Sequence, residues 1–169
     1  MISHSKDNYT LRRFVPADWE SYKLIRLQAL QTNPEMFGSS YAKEALYSQN
    51  DWVSLLEIDT RAMFGLYHLD SLIGLSGATI KKENPFTAIL FASFIKKTYR
   101  GLGLSKLFYQ VRMDWARSKK CESVTVSHRL GNEISKAANQ SFGFTYSHTN
   151  NVVWPYGVYD DELVYVLTL

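Results

Sequence analysis

Two glycines and three cationic side chains crowd into the ten residues Lys97-Thr98-Tyr99-Arg100-Gly101-Leu102-Gly103-Leu104-Ser105-Lys106. Glycine tolerates positive φ and lets a ligand come close to the backbone. A glycine turn at the start of a helix aims several N–H groups at one point, where the helix dipole also favours negative charge. These residues suit the grip of a pyrophosphate, with Arg100 and Lys106 adding charge beside it. The spacing is not that of a Walker loop, which needs G-x-x-x-x-G-K-[ST]. Nor is it the dinucleotide fingerprint G-x-G-x-x-G, because Lys106 stands where the third glycine belongs. On residue types alone, an unliganded basic turn competes with the anion site.

The turn needs a strand before it and a helix after it, and periodicity supplies both. Ala88 to Ile95 is a largely apolar run and reads as a strand. Leu104, Leu107, Phe108, Val111 and Trp115 mark one face of a helix running to Lys119. Upstream, Tyr9 to Phe14 reads as a strand, and Pro16-Ala17-Asp18 opens a helix running to Leu30. Thr32 to Ser40 reads as a loop, and Lys43 to Ile58 as one helix. Met63 to His68 and Leu72 to Ile80 form a hairpin through Asp70-Ser71. Downstream, Ser123 to His128 is a strand. A helix from Asn132 to Phe142 follows, closed by Gly143. Strands at Phe144–Tyr146 and Glu162–Leu169 end the chain, with Ser147 to Asp160 a loop between them. Such alternation gives a mixed α/β sheet with helices on both faces, and residues 1–169 form a single domain.

Composition narrows the partners. Nineteen basic against sixteen acidic residues leave a formal net charge of +3, too mild to point to nucleic acid. Cys121 is the only cysteine, so neither an internal disulfide nor a cysteine metal cluster is open to the chain, and it reads as a structural thiol. No metal site is expected. Met1 to Asn8 is polar, without the apolar core of a secretory leader, and no apolar stretch is long enough to span a membrane. A cytoplasmic protein without a membrane partner is the expectation.

Arg100-Gly101-Leu102-Gly103-Leu104-Ser105 resembles the acetyl-CoA signature [Q/R]-x-x-G-x-[G/A] of the GNAT superfamily of N-acetyltransferases, departing only where Ser105 replaces Gly or Ala. Asn132 to Phe144 resembles the second cofactor helix of that superfamily, N-x-x-[A/S]-x-x-x-[Y]-x-x-x-G-F. Arg26-Leu27-Gln28-Ala29-Leu30, followed by Asn33 to Ser40, is similar to its first helix and following loop. The three matches fall in the right order over nearly the whole chain. The resemblance implies a GNAT fold, with about seven strands and a sheet splayed between the fourth and fifth. It also implies acetyl-CoA as cosubstrate and an amine, small-molecule or peptide, as acceptor. A homodimer stays open.

Further site residues follow from the resemblance. Pantetheine pairs with the free edge of the fourth strand, at the backbones of Phe94 and Ile95, and the Ile95 N–H is placed to polarise the thioester. Arg100, Gly101, Leu102, Gly103, Leu104, Ser105 and Lys106 form the cofactor loop. Lys106 or Lys136 is a partner for the 3′-phosphate. Asn132, Ser135 and Asn139 lie at i, i+3, i+7, on one face of the following helix. Asn139 stands where many members carry a tyrosine acid, so it can hydrogen-bond the leaving sulfur but cannot protonate it. His128, on the Val124–Val126–His128 face of the fifth strand, is the candidate base, ahead of Glu44. The loops Thr32–Tyr41 and Ser147–Asp160 should frame the acceptor, with the carboxylates of Asp160, Asp161 and Glu162 attracting a cation. The missing tyrosine also leaves a non-catalytic acyl-CoA sensor as a competing reading.

Overall fold

The computed structural model describes residues 2–169. Eight strands form one sheet: β1 (Ser3–Lys6), β2 (Tyr9–Arg13), β3 (Arg61–His68), β4 (Ser71–Lys81), β5 (Asn84–Ile95), β6 (Ser123–Arg129), β7 (Thr145–Trp154) and β8 (Val158–Thr168). Their spatial order is β1-β2-β3-β4-β5-β6-β8-β7. Only β5 and β6 run parallel, joined across the sheet by helix α4 (Ser105–Ser118). Helix α5 (Glu133–Phe142) follows β6.

The helices divide between the two faces. α4 buries Leu107, Phe108, Val111 and Trp115 against Leu11, Phe64, Leu66, Ala88, Leu90 and Val126, and α5 adds Ala138 and Phe142. On the other face, α1 (Trp19–Thr32) and α3 (Gln49–Glu57) pack Tyr22, Ile25, Ala29 and Trp52 on Phe14, Met63, Leu75 and Phe94. Each fully buried large side chain contributes roughly 1.5–3 kcal/mol through area removed from water.

Three expectations change. The helix expected over Lys43–Ile58 is two: α2 (Tyr41–Glu44) and α3. Ser48 starts the second afresh, its hydroxyl accepting from the Asp51 N–H while the Asp51 carboxylate accepts from the Ser48 N–H, a capping box. The polar N-terminus is a strand, held partly by His4 against Asp114 of α4 at 2.8 Å. With β1, the sheet has eight strands, in keeping with the expected count of about seven. The expected loop over Ser147–Asp160 is a hairpin, β7 and β8 turning through Pro155–Gly157. β7 is exposed over almost its whole length, so its polar sequence carries no alternating apolar pattern.

The sheet opens where the chemistry was expected. β5 and β6 pair from Thr87–Ser123 to Leu90–Val126, and no pairing continues beyond. β5 remains paired with β4 on its other side, through a bulge at which Ala92 takes φ +57°. Phe91 to Ile95 therefore has a free edge towards a gap, the splay between the fourth and fifth strands counted from Tyr9–Arg13.

Candidate functional site

Backbone alternation decides which residues face the gap. The Phe94 carbonyl lies beside Gly74 of β4, and the Lys96 N–H bonds the Ile73 carbonyl. Both therefore point towards β4, and the intervening Ile95 N–H and carbonyl point to the open edge. Ser93 faces the same way. Of the two backbones expected to meet pantetheine, Ile95 is presented to the gap and Phe94 is turned from it. The Phe94 ring lies in the core on the α1 side.

The glycine turn has the conformation its sequence requires. Gly101 and Gly103 take φ +78° and +74°, and nothing lies within 4 Å of a Cβ built on either. Backbone angle, not crowding inside the protein, demands glycine there, and the space in front of the turn is open. Leu104 is buried as an anchor, while Leu102, Ser105 and Lys106 are exposed. Among the described residues, no turn or loop bond uses the N–H groups of Gly101 to Lys106. These donors, at the start of a fourteen-residue helix, fit an anionic diphosphate.

Arg100 departs from expectation. Its Nε donates to the Ile95 carbonyl at 2.8 Å, its Nη2 donates to Asn33 Oδ1 at 2.7 Å, and it lies over the Phe94 ring. The side chain ties the end of β5 to the loop after α1 instead of standing in the anion turn. Lys106 and the nearby Lys97 carry the local charge.

Across the gap, Asn132 caps α5, its Oδ1 accepting from the Ser135 N–H at 3.2 Å. That bond engages the Asn132 side chain and the Ser135 backbone, leaving the Ser135 hydroxyl unengaged. Asn139, on the same face, is 2% exposed. Its Oδ1 accepts from the Tyr109 hydroxyl of α4, and its Nδ2 is buried without a partner.

His128 lies two residues past the last β5–β6 pair, on the buried face with Val124 and Val126. Its Nδ1 donates to the Arg129 carbonyl at 2.9 Å, which leaves the Nε2 lone pair as the basic position. Nε2 is buried without a partner, and the ring stacks on Tyr165 of β8. Glu44 is excluded as a free base, since Arg26 donates to it at 2.9 Å and both side chains are buried. Burial raises the pKa of Cys121, an inert thiol at the end of α4.

The sequence missed a buried polar corner beside the gap. Arg112 of α4 is 1% exposed, with Nη1 donating to Ser93 Oγ at 2.9 Å and Nε to the Phe108 carbonyl at 3.0 Å. Its guanidinium lies 5.2 Å from the centre of the Tyr109 ring. Burial lowers the Arg112 pKa to about 10 and raises that of Tyr109. Arg112 stands four residues after Phe108 and three before Trp115, a cation on the apolar stripe of α4. That misplaced charge was the available signal.

A groove of about 550 Å³ lies between the loop after α1 and the β6–α5 turn, lined among others by Glu35, Met36, Arg129, Glu133 and Asp160. Arg129 donates to Asp160 at 2.8 Å and lies over Trp154, so this part of the expected acidic cluster is neutralised. Asp161 accepts from the Asn151 side chain. Among the described residues, no group of three or more His, Cys, Asp or Glu side chains is gathered to hold a metal, and no helix is long and apolar enough to cross a membrane.

The family model of the GNAT acetyltransferases matches residues 24–144. No curated protein matches the chain in sequence. Among solved structures, a ribosomal-protein-S5-alanine acetyltransferase from Vibrio fischeri superposes with a TM-score of 0.83 at 13% identity, over 99% of this chain and 97% of that one. A GNAT acetyltransferase from Streptococcus pneumoniae gives 0.78 at 16% identity, over 95% and 99%. RimL, an acetyltransferase of ribosomal protein L7/L12 determined with coenzyme A, gives 0.79 at 15%, over 97% and 96%. At such identities the likeness is one of fold.

Proposed function

This chain belongs to the GNAT acetyltransferase family, and we propose that it moves an acetyl group from acetyl-CoA to a primary amine by direct attack. One observation carries the reading: the free edge of β5 runs straight into a glycine turn whose N–H groups are unclaimed. An extended amide-bearing arm pairs with such an edge as an added strand would. Its diphosphate then meets the start of α4. The lysines at positions 97 and 106 add charge at the turn.

The amine arrives as an ammonium and must lose a proton before it attacks. His128 Nε2 takes that proton, directly or through water, its tautomer fixed by the bond from Nδ1 to Arg129. The amine nitrogen then attacks the thioester carbonyl, and the Ile95 N–H stabilises the oxygen that becomes negative. The C–N bond forms and leaves the nitrogen positive. The C–S bond breaks with its electron pair leaving on sulfur, and the nitrogen gives its second proton to water to become the neutral amide. Asn139 meets the leaving group as a hydrogen-bond donor through Nδ2, not as an acid.

The acceptor enters through the groove at the β6–α5 turn. Glu35 and Glu133 favour a cationic amine there, and the open groove admits a small amine or a peptide N-terminus. A thiol-release assay over polyamines, aminoglycosides, lysine peptides and free N-terminal peptides tests the proposal. Release of CoA with at least one class is expected. Tight CoA binding with no release across the panel would replace the enzyme by an acyl-CoA sensor.

A further inference from the structure

The buried corner between α4, α5 and the free edge of β5 has no carboxylate. Arg112 is fully buried, and the one charged or titratable group acting on it is the Tyr109 phenol. A guanidinium removed from water without an anion is costly to the fold. Its Nη1 donates to Ser93 Oγ, so a lone pair of that hydroxyl is occupied and its own proton is free to point outward. Ser93 is exposed and lies on the unpaired stretch of β5. From the other wall, Asn139 reaches the same corner. The Tyr109 hydroxyl holds its Oδ1, which leaves the two N–H bonds of Nδ2 unengaged in a buried position. Tyr109 lies under Arg112, so the four side chains form one cluster. It consists of two neutral donors, an exposed hydroxyl backed by a buried cation and a buried amide, with no acceptor of comparable strength.

We propose that the Ser93 hydroxyl, polarised by Arg112, and the Asn139 amide form an anion site for the sulfur of the leaving CoA. The inference rests on the acyl-CoA reading above. When the C–S bond breaks, its electron pair moves onto sulfur, and Ser93 and Asn139 donate hydrogen bonds to the resulting thiolate. Arg112 is a positioning residue, which aims the Ser93 proton and places fixed positive charge behind it. The thiolate needs no protein acid, because it leaves as the anion and later takes a proton from water. The low ordinary pKa of a thiol, near 8.5, makes that route available. A chain without a tyrosine at position 139 thereby stabilises its leaving group by charge instead of protonation.

The test is the titration of CoA bound to the folded protein, read as ultraviolet thiolate absorbance against a desulfo-CoA control. In the wild type the bound thiol should titrate about one pH unit below free CoA. Arg112→Met, an apolar replacement of similar shape, should return it to the free value or above, and Arg112→Lys should retain part of the depression. Ser93→Ala, at an exposed position that threatens folding little, should also raise it. In turnover, kcat should fall about 10²-fold in Arg112→Met and about tenfold in Ser93→Ala. KM for acetyl-CoA should stay within about threefold, because the cluster acts on charge that appears only as the bond breaks. A bound thiol that titrates identically in wild type, Arg112→Met and Ser93→Ala would overturn the assignment. So would a preference for succinyl-CoA that Arg112→Met abolishes without moving the thiol, since Arg112 would then bind a carboxylate. Failure of the wild type to bind CoA would overturn the acyl-CoA reading itself, a separate result.

Discussion

The glycine turn and the buried corner beside β5 are both short of negative charge, yet they differ in nearly every other respect. The turn is exposed, its donors are backbone N–H groups, and its lysines stand in water. The corner is buried except at Ser93, its donors are side chains, and its one cation is fully buried. Coulomb energy in water is small and salt weakens it further, so each charge at the turn contributes little and can be replaced by its neighbours. In the corner the effective dielectric is lower and the few groups depend on one another, so single substitutions matter more. Affinity should therefore be spread over the turn and rate concentrated in the corner and the adjacent His128.

The sharpest test of that division is His128→Ala. Loss of the base should lower kcat about 10²-fold or more at neutral pH, with CoA affinity little changed. A variant with the parent pH–rate profile would return His128 to a packing role against Tyr165.

Gly103→Val attacks the other side. A β-branched residue at φ +74° costs roughly 2 kcal/mol, and its side chain fills the open space before the turn. CoA affinity should fall about 30-fold or more by calorimetry. Unchanged affinity in the folded variant would remove the turn from the cosubstrate site.

Asn139→Ala removes one donor and should lower kcat about tenfold, in line with a hydrogen bond of about 1–2 kcal/mol. A thousandfold loss in a folded variant that still binds CoA would make Asn139 central to the chemistry. The smallest effect belongs to Lys106→Ala. It should weaken CoA binding a few-fold at low salt, and the difference should shrink as ionic strength rises. A large, salt-insensitive loss would break the contrast between the two regions.

Legibility in the sequence followed the strength of local pattern. The α4 stripe, the glycine turn and the α5 stop at Gly143 each depend on residues within a few positions of one another, and all three stand in the structure. The break between α2 and α3 depends on Ser48, an ordinary residue until its capping box is seen. β1, and β7 beyond Tyr146, were hidden because a strand at the margin of a sheet needs little apolar alternation.

By itself, the sequence determined the order of most strands and helices, the place of the glycine turn and the GNAT resemblance, because periodicity, glycine and caps act over short distances along the chain. It also placed Asn rather than Tyr at position 139. Only the tertiary structure decided how those parts are used. It turned the Arg100 side chain to Ile95 and Asn33, locked Glu44 against Arg26, and faced the Ile95 N–H to the gap while Phe94 faced β4. It also joined Ser93, Tyr109, Arg112 and Asn139, four residues from three elements. Hydrogen-bond direction and the burial of a charge depend on what stands opposite in space, and neighbours along the chain carry no record of that.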